Sequence, residues 1–106
     1  MYYTLDEKGN PVAEPDIIKW SQWAEKAERH IGNDVIGNSV ISTIFLGLDH
    51  SFTKGAAPVL WETMVFGGSL DQYQDRCAGS REQAEAMHIR TIEKVKKATQ
   101  PSPSLL

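Results

Sequence analysis

Residues 39–68 read SVISTIFLGLDHSFTKGAAPVLWETMVFGG, and this stretch decides the fold. Two apolar runs rich in β-branched and aromatic residues flank a connection that holds Asp49, His50, Lys54, Gly55 and Pro58. Runs of that kind, bounded by turn-forming residues, predict the two strands of a β-hairpin. Successive strand side chains point to opposite faces, so Val40, Ser42, Ile44, Leu46 and Leu48 share one side and Ile41, Thr43, Phe45, Gly47 and Asp49 the other. In the second run Val59, Trp61, Thr63 and Val65 alternate with Leu60, Glu62, Met64 and Phe66. Neither strand has a clean polar face, which predicts a sheet covered on both sides. Helices can cover one side; the other is left for a partner, either a second copy in a homodimer through the sheet or another protein.

Upstream, Tyr2–Leu5 reads as a short edge strand that stops at the turn cluster Gly9, Asn10 and Pro11. The period then changes. Ile17, Trp20, Ala24, Ala27 and Ile31 fall in one sector of a helical wheel, with Lys19, Gln22, Lys26 and Arg29 opposite, which predicts a helix of about four turns ending at Gly32 and Asn33. Glu14 or Asp16 would cap its start, and Glu25 with Arg29 has the spacing of an ion pair on one helix face. Residues 34–36 read as a short strand before a Gly37–Asn38 turn.

Downstream, Tyr73, Asp75 and Cys77 alternate with Gln74, Arg76 and Ala78 in what reads as a charged edge strand. Ser80 and Gln83 then have the spacing of a reciprocal helix cap, and Ala84, Met87, His88, Thr91, Val95 and Ala98 form the apolar stripe of the last helix. Residues 100–106 lack periodicity and are expected to be a flexible tail. The fold expected is a single α+β domain over residues 1–99, of order β-α-β-β-β-α, with a mainly antiparallel sheet and both helices on one face.

With 106 residues, 41% apolar and 24% charged, the chain has the composition of an ordinary globular domain. Eleven basic against 14 acidic side chains give a net charge of −3, the wrong sign for a general phosphate-binding surface, so nucleic acid is an unexpected partner. The lysines near the end of the last helix complement its dipole without invoking a ligand. A single cysteine, Cys77, excludes an internal disulfide. No apolar run is long enough to span a membrane and the N-terminus lacks a signal-peptide pattern, so the expected compartment is the cytoplasm.

Five residues are candidates for binding: Trp23, Asp49, His50, Glu62 and His88. Asp49 and His50 stand where a strand meets a long connection, a common place for function, although Asp49 there also suits a cap on the loop's backbone amides. Glu62 is the one charge in LWETMVF, costly to bury unless paired. His88 lies in an apolar stripe, where a core-edge histidine bonded to a neighbour is the structural alternative. Trp23 reads either as part of an exposed docking surface with His30 or as a lid over the core edge. Cys77 beside Arg76 reads either as an activated thiol or as a small buried hydrophobe. No HExxH, CxxC or phosphate-loop pattern occurs, so no catalytic residue, metal site or cofactor is assigned.

The segments MYYTLDEKGNPV, IIKWSQWAEKAERHI, VISTIFLGLDHSF, PVLWETMVFGG and SREQAEAMH together resemble a group of small bacteriophage and prophage proteins. The pairing of LGLDHSF with LWETMVFGG is the most specific part of the likeness. The resemblance implies phage or prophage origin and carries over no activity and no catalytic residue. Two expectations of function follow. The first is a non-enzymatic accessory protein acting in the host cell by protein–protein interaction on a host or defence factor. The alternative is a small enzyme or metal-binding module, which requires Asp49, His50, Glu62 and His88 to converge in a cleft.

Overall fold

The computed structural model describes residues 1–51 and 55–99. In order these form β1 (Tyr2–Leu5), β2 (Pro11–Glu14), α1 (Ile17–Lys26), β3 (His30–Ile36), β4 (Ser39–Phe45), β5 (Val59–Phe66), β6 (Gln74–Ala78) and α2 (Arg81–Thr99). The expected tail, residues 100–106, lies outside the described residues.

The predicted hairpin forms, with Val40 opposite Phe66 and Phe45 opposite Trp61 in antiparallel register. It is the centre of a four-stranded antiparallel meander, β3-β4-β5-β6. In β4 the alternation is exact in burial: Ser39, Ile41, Thr43 and Phe45 are buried, while Val40, Ser42 and Ile44 between them are half-buried. The buried set faces α2, whose own buried residues are Ala84, Met87, His88, Thr91 and Val95. The reciprocal cap that starts α2 is present: Ser80 Oγ accepts from the Gln83 amide at 3.3 Å, and Gln83 Oε1 accepts from the Ser80 amide at 2.9 Å.

β2 and β3 both exceed the expected order β-α-β-β-β-α, although residues 34–36 of β3 read as a strand. β2 pairs with β1 in a separate two-stranded sheet, closed by a turn in which Asp6 Oδ1 accepts from the Lys8 and Asn10 amides and Gly9 adopts a φ of 81°. Pro11 and Ala13 gave β2 no strand signal; its pairing with β1 makes it a strand. β3 is longer than residues 34–36, and α1 correspondingly shorter than four turns. Asp16 caps α1 by accepting from the amides of Ile18 and Lys19, but Ala27 turns extended, with φ −78° and ψ 144°. The Arg29 carbonyl then accepts from the Phe45 amide, so the chain has joined the sheet before Ile31 can continue the helical stripe. Arg29 therefore lies beyond the helix and Glu25 does not pair with it on a helix face; its Nη1 instead approaches the Leu46 carbonyl at 3.5 Å.

Both helices contribute to one core. Phe45, Leu60, Trp61, Ala84 and Met87 form its larger part, with Tyr3, Leu5, Trp23, Ile31 and Cys77 packed around it, and Ile41, Val65 and Val95 form the rest. Two strands carry register shifts, the edge strand β3 between His30 and Gly32 and the interior strand β5 between Val59 and Trp61, where it pairs with β6. The second is an irregularity that breaks the expected alternation: Leu60 and Trp61 are both buried in the same core cluster, although neighbours in a regular strand would face apart.

Candidate functional site

The sheet presents two faces of opposite character. Beneath α2 lies a line of polar side chains running through the apolar layer. Asp34 Oδ2 lies 2.6 Å from His88 Nε2, His88 Nδ1 lies 2.6 Å from Thr43 Oγ1, and Thr43 Oγ1 lies 2.5 Å from Thr63 Oγ1. Each strand contributes through its register: Asp34 is opposite Ile41 on the α2 side of β3, and Thr43 is opposite Thr63 across the hairpin. Gly32 makes room for the imidazole, since a Cβ there would lie 2.6 Å from its Cε1 and Nε2. A carboxylate only accepts, so Nε2 donates to Asp34. Nδ1 bonds the Thr43 hydroxyl in turn, and that hydroxyl bonds Thr63.

An acid, a histidine and a hydroxyl in series are the parts of a nucleophile relay. The burial runs the wrong way for one. Thr43 and Thr63 have no exposed surface, whereas Asp34, at the far end, is 51% exposed. A substrate has no approach to the hydroxyl, and the relay instead ties α2 to three strands through groups that are costly to leave unpaired in the core.

On the opposite face no helix packs among the described residues. The strand register arranges its side chains in cross-strand rows: Val35, Val40 and Phe66; then Asn33, Ser42, Met64 and Gln74; then His30, Ile44, Glu62 and Arg76. Val35 is 70% exposed and Phe66 46%. Charge on the face is internally matched, because Glu62 Oε2 accepts from Arg76 Nε at 2.8 Å and from Gln74 Nε2 at 2.5 Å.

The five residues singled out in the sequence are therefore dispersed. Glu62 is paired on the open face, His88 is buried on the α2 side, and the two do not meet. His50 Nδ1 lies 2.7 Å from the Leu48 carbonyl. Asp49 is the cap on the connection: its Oδ1 accepts from the amides of Ser51 at 2.8 Å and Val59 at 2.9 Å. Trp23 meets Phe45 edge-on at a ring separation of 6.0 Å, as a lid on the core would, and also lines a cleft of about 470 Å³ with Leu5, Lys8, Glu28 and Arg81. The constellation of Asp49, His50, Glu62 and His88 is not assembled, and among the described residues no group of three or more histidine, cysteine, aspartate or glutamate side chains could hold a metal ion.

Sequence reasoning named His88 but missed Asp34, Thr43 and Thr63. The available signal was the pair of threonines set in the middle of two apolar strands on the side that the helix covers. Cys77 packs against the core, and burial, then the nearby Asp75, pushes its thiol pKa up, opposite to activation.

The Ser51 and Val59 amides, in that order, hold the Asp49 carboxyl below the usual aspartate range. Its contribution to stability is then fully present above the unfolded pKa, near 3.9, and is lost as pH falls through the lower folded value. Asp49→Asn is expected to melt below the parent at neutral pH, with the gap closing as pH is lowered under about 4. Thermal melts across that range check it; a gap independent of pH would mean that the charge of Asp49 does not hold the loop.

No helix among the described residues is long and apolar enough to cross a membrane. No protein-family model, no curated protein and no solved structure matches the chain.

Proposed function

We propose that this chain is a non-enzymatic accessory protein of a phage or prophage that works in the host cytoplasm by engaging another protein, such as a host or defence factor, through the open face of its sheet. The observation that carries the reading is the row Val35, Val40 and Phe66, an apolar strip held at the surface by a four-stranded sheet with no helix over it among the described residues. Scattered apolar residues need no explanation, but a contiguous strip continued by Met64 and Ile44 is the kind of surface that marks an interaction site. The likeness to small phage proteins supplies the setting, and the loop-capping role of Asp49 and the buried relay at His88 leave neither as a reacting group.

The test is capture from a bacterial host in which the tagged chain is expressed beside an untagged copy. Host proteins and the untagged copy are read separately. Capture by the parent and its loss in Phe66→Lys are expected, while Ile89→Lys, an exposed change on α2, leaves capture intact. Equal capture by the parent and Phe66→Lys, or no capture by a folded parent, overturns the reading.

A further inference from the structure

We infer that a groove between α2 and the β5–β6 connection takes an acidic segment of a protein partner, one that carries a large apolar side chain beside its carboxylates. The groove lies on the α2 side of the sheet, so the inference stands apart from the reading of the open face. One part of it is a notch of about 420 Å³ lined by Leu70, Tyr73, Lys94, Lys97 and Ala98. Leu70 and Tyr73 are half-buried, while the three α2 residues are exposed. Their spacing puts Lys94, Lys97 and Ala98 on one helix face.

Charge selects the occupant. The chain is acidic overall and the described residues include every aspartate and glutamate, yet none of these stands within ion-pair distance of Lys94 or Lys97. Lys96, by contrast, has Glu93 at 4.0 Å. The helix dipole acts within the last turn, which holds Lys96 and Lys97, and Lys94 lies before it. Lys94 Nζ stands 5.8 Å from the centre of the Tyr73 ring, an attraction that supplies no carboxylate. Two unpaired cations three positions apart on a helix repel, and an anion set between them relieves that repulsion.

The wall opposite the lysines is fixed. Gln72 is the one described non-glycine residue with a positive φ, 74°, a strained conformation that costs on the order of 1 kcal/mol. Its amide donates to the Val65 carbonyl and the Tyr73 amide donates to the Leu70 carbonyl, each at 2.9 Å. Leu70 and Tyr73 are thereby packed against Ile41, Val65 and Val95, with their outer surfaces left to the notch. An apolar side chain therefore has a formed seat beside the two cations.

Shape favours a peptide over a small molecule. A second depression of about 360 Å³ shares Ala98 with the first and continues to Gly37 and Asn38, so the groove is elongated and open along its length. Small-molecule sites enclose most of their ligand. An extended segment can instead seat one apolar side chain on Leu70 and Tyr73 and lay its flanking carboxylates on the lysines.

Titration of the isotope-labelled full chain with a short acetylated peptide of glutamates around a central phenylalanine tests this, read by amide chemical shifts. Saturable shifts centred on Leu70, Tyr73, Lys94, Lys97 and Ala98 are expected, with affinity falling as salt is added. The pair Lys94→Gln and Lys97→Gln, and separately Ala98→Glu, which sets a carboxylate in the groove, should each weaken binding at least about tenfold. Lys19→Gln with Lys26→Gln, the same charge change on α1, should bind like the parent. All these side chains are exposed, so melting curves should show every variant folded. Peptides with serine for the phenylalanine, or lysines for the glutamates, should each bind at least about tenfold more weakly. No saturable shift, equal binding of the lysine peptide, or unchanged affinity in the double glutamine variant overturns the inference. So does binding to vesicles of anionic phospholipid without a response to the peptide, which would make the groove a membrane-contact patch.

Discussion

Replacing Trp61 by alanine is expected to lower the unfolding free energy by about 3–5 kcal/mol, the range for deleting a large aromatic side chain from a core. Trp61 has no exposed surface and packs with Phe45, Leu60, Ala84 and Met87. Its ring lies 4.8 Å from that of Phe45, and its Nε1 donates to the Gly79 carbonyl at 3.0 Å, just before the cap that starts α2. The indole thus joins β5 to the strand Phe45 belongs to and to the connection that positions the helix. A domain of this size has about 5–15 kcal/mol in total, so the loss removes a large share of it and leaves Trp61→Ala partly unfolded at 25 °C only if the parent stands at the bottom of that range. Trp61→Phe keeps most of the apolar volume and gives up the Gly79 bond; its expected cost is about 1–2 kcal/mol. Urea unfolding of both variants checks the pair, and a cost below about 1 kcal/mol for the alanine would remove Trp61 from the centre of the core. The consequence reaches the surface. Trp61 is where the strand irregularity sends two consecutive side chains inward, after which Glu62, Met64 and Phe66 return to the open face; loosening it should blur the cross-strand rows of that face.

What was legible in the sequence was whatever a local rule encodes. The β4 alternation showed in full because both of its neighbours hold it in regular register over most of its length. Ser80 with Gln83, and Asp49 with the amides around it, are patterns that a few neighbouring positions satisfy. Failures occurred where partners distant in sequence overrule local preference. The helical stripe through Ala27 and Ile31 fits α1, yet His30 and residues 32–36 pair along β4 and the chain leaves the helix. Simple alternation puts Leu60 on the face of Glu62, and no residue type near it announces the irregularity that turns it inward. The relay at His88 joins residues from three strands and a helix, with Asp34 and His88 separated by 54 positions. No spacing rule spans that distance.

Replacing His88 by alanine is expected to cost about 2–4 kcal/mol, from the lost packing together with the hydroxyls it leaves unsatisfied. The imidazole is 8% exposed as a side chain and bonds at both nitrogens, so its removal opens a void above Gly32 and strips Thr43 of one partner. Packing and hydrogen bonding can be told apart. If the bonds themselves were the source of stability, apolar substitution of the whole line should be as harmful as removing His88 alone. The physical expectation is different: exchanging all partners for apolar groups of similar shape removes the unsatisfied groups too. Thr43→Val with Thr63→Val and His88→Leu should therefore recover at least half of the loss seen in His88→Ala. Gly32 supplies an independent check. A Cβ at this position would stand 2.6 Å from the His88 ring, so Gly32→Ala should be markedly destabilising in the parent. In a His88→Ala background the obstacle is gone, and the same change should cost little more than its intrinsic strand preference. A double-mutant cycle in urea should then give a coupling of about 1–3 kcal/mol between the two positions. Additive costs would mean that the ring does not occupy the space Gly32 leaves for it. In that case the polar line through the core would not be what fixes α2 against the sheet, and the contrast between its sealed and open faces would need another cause.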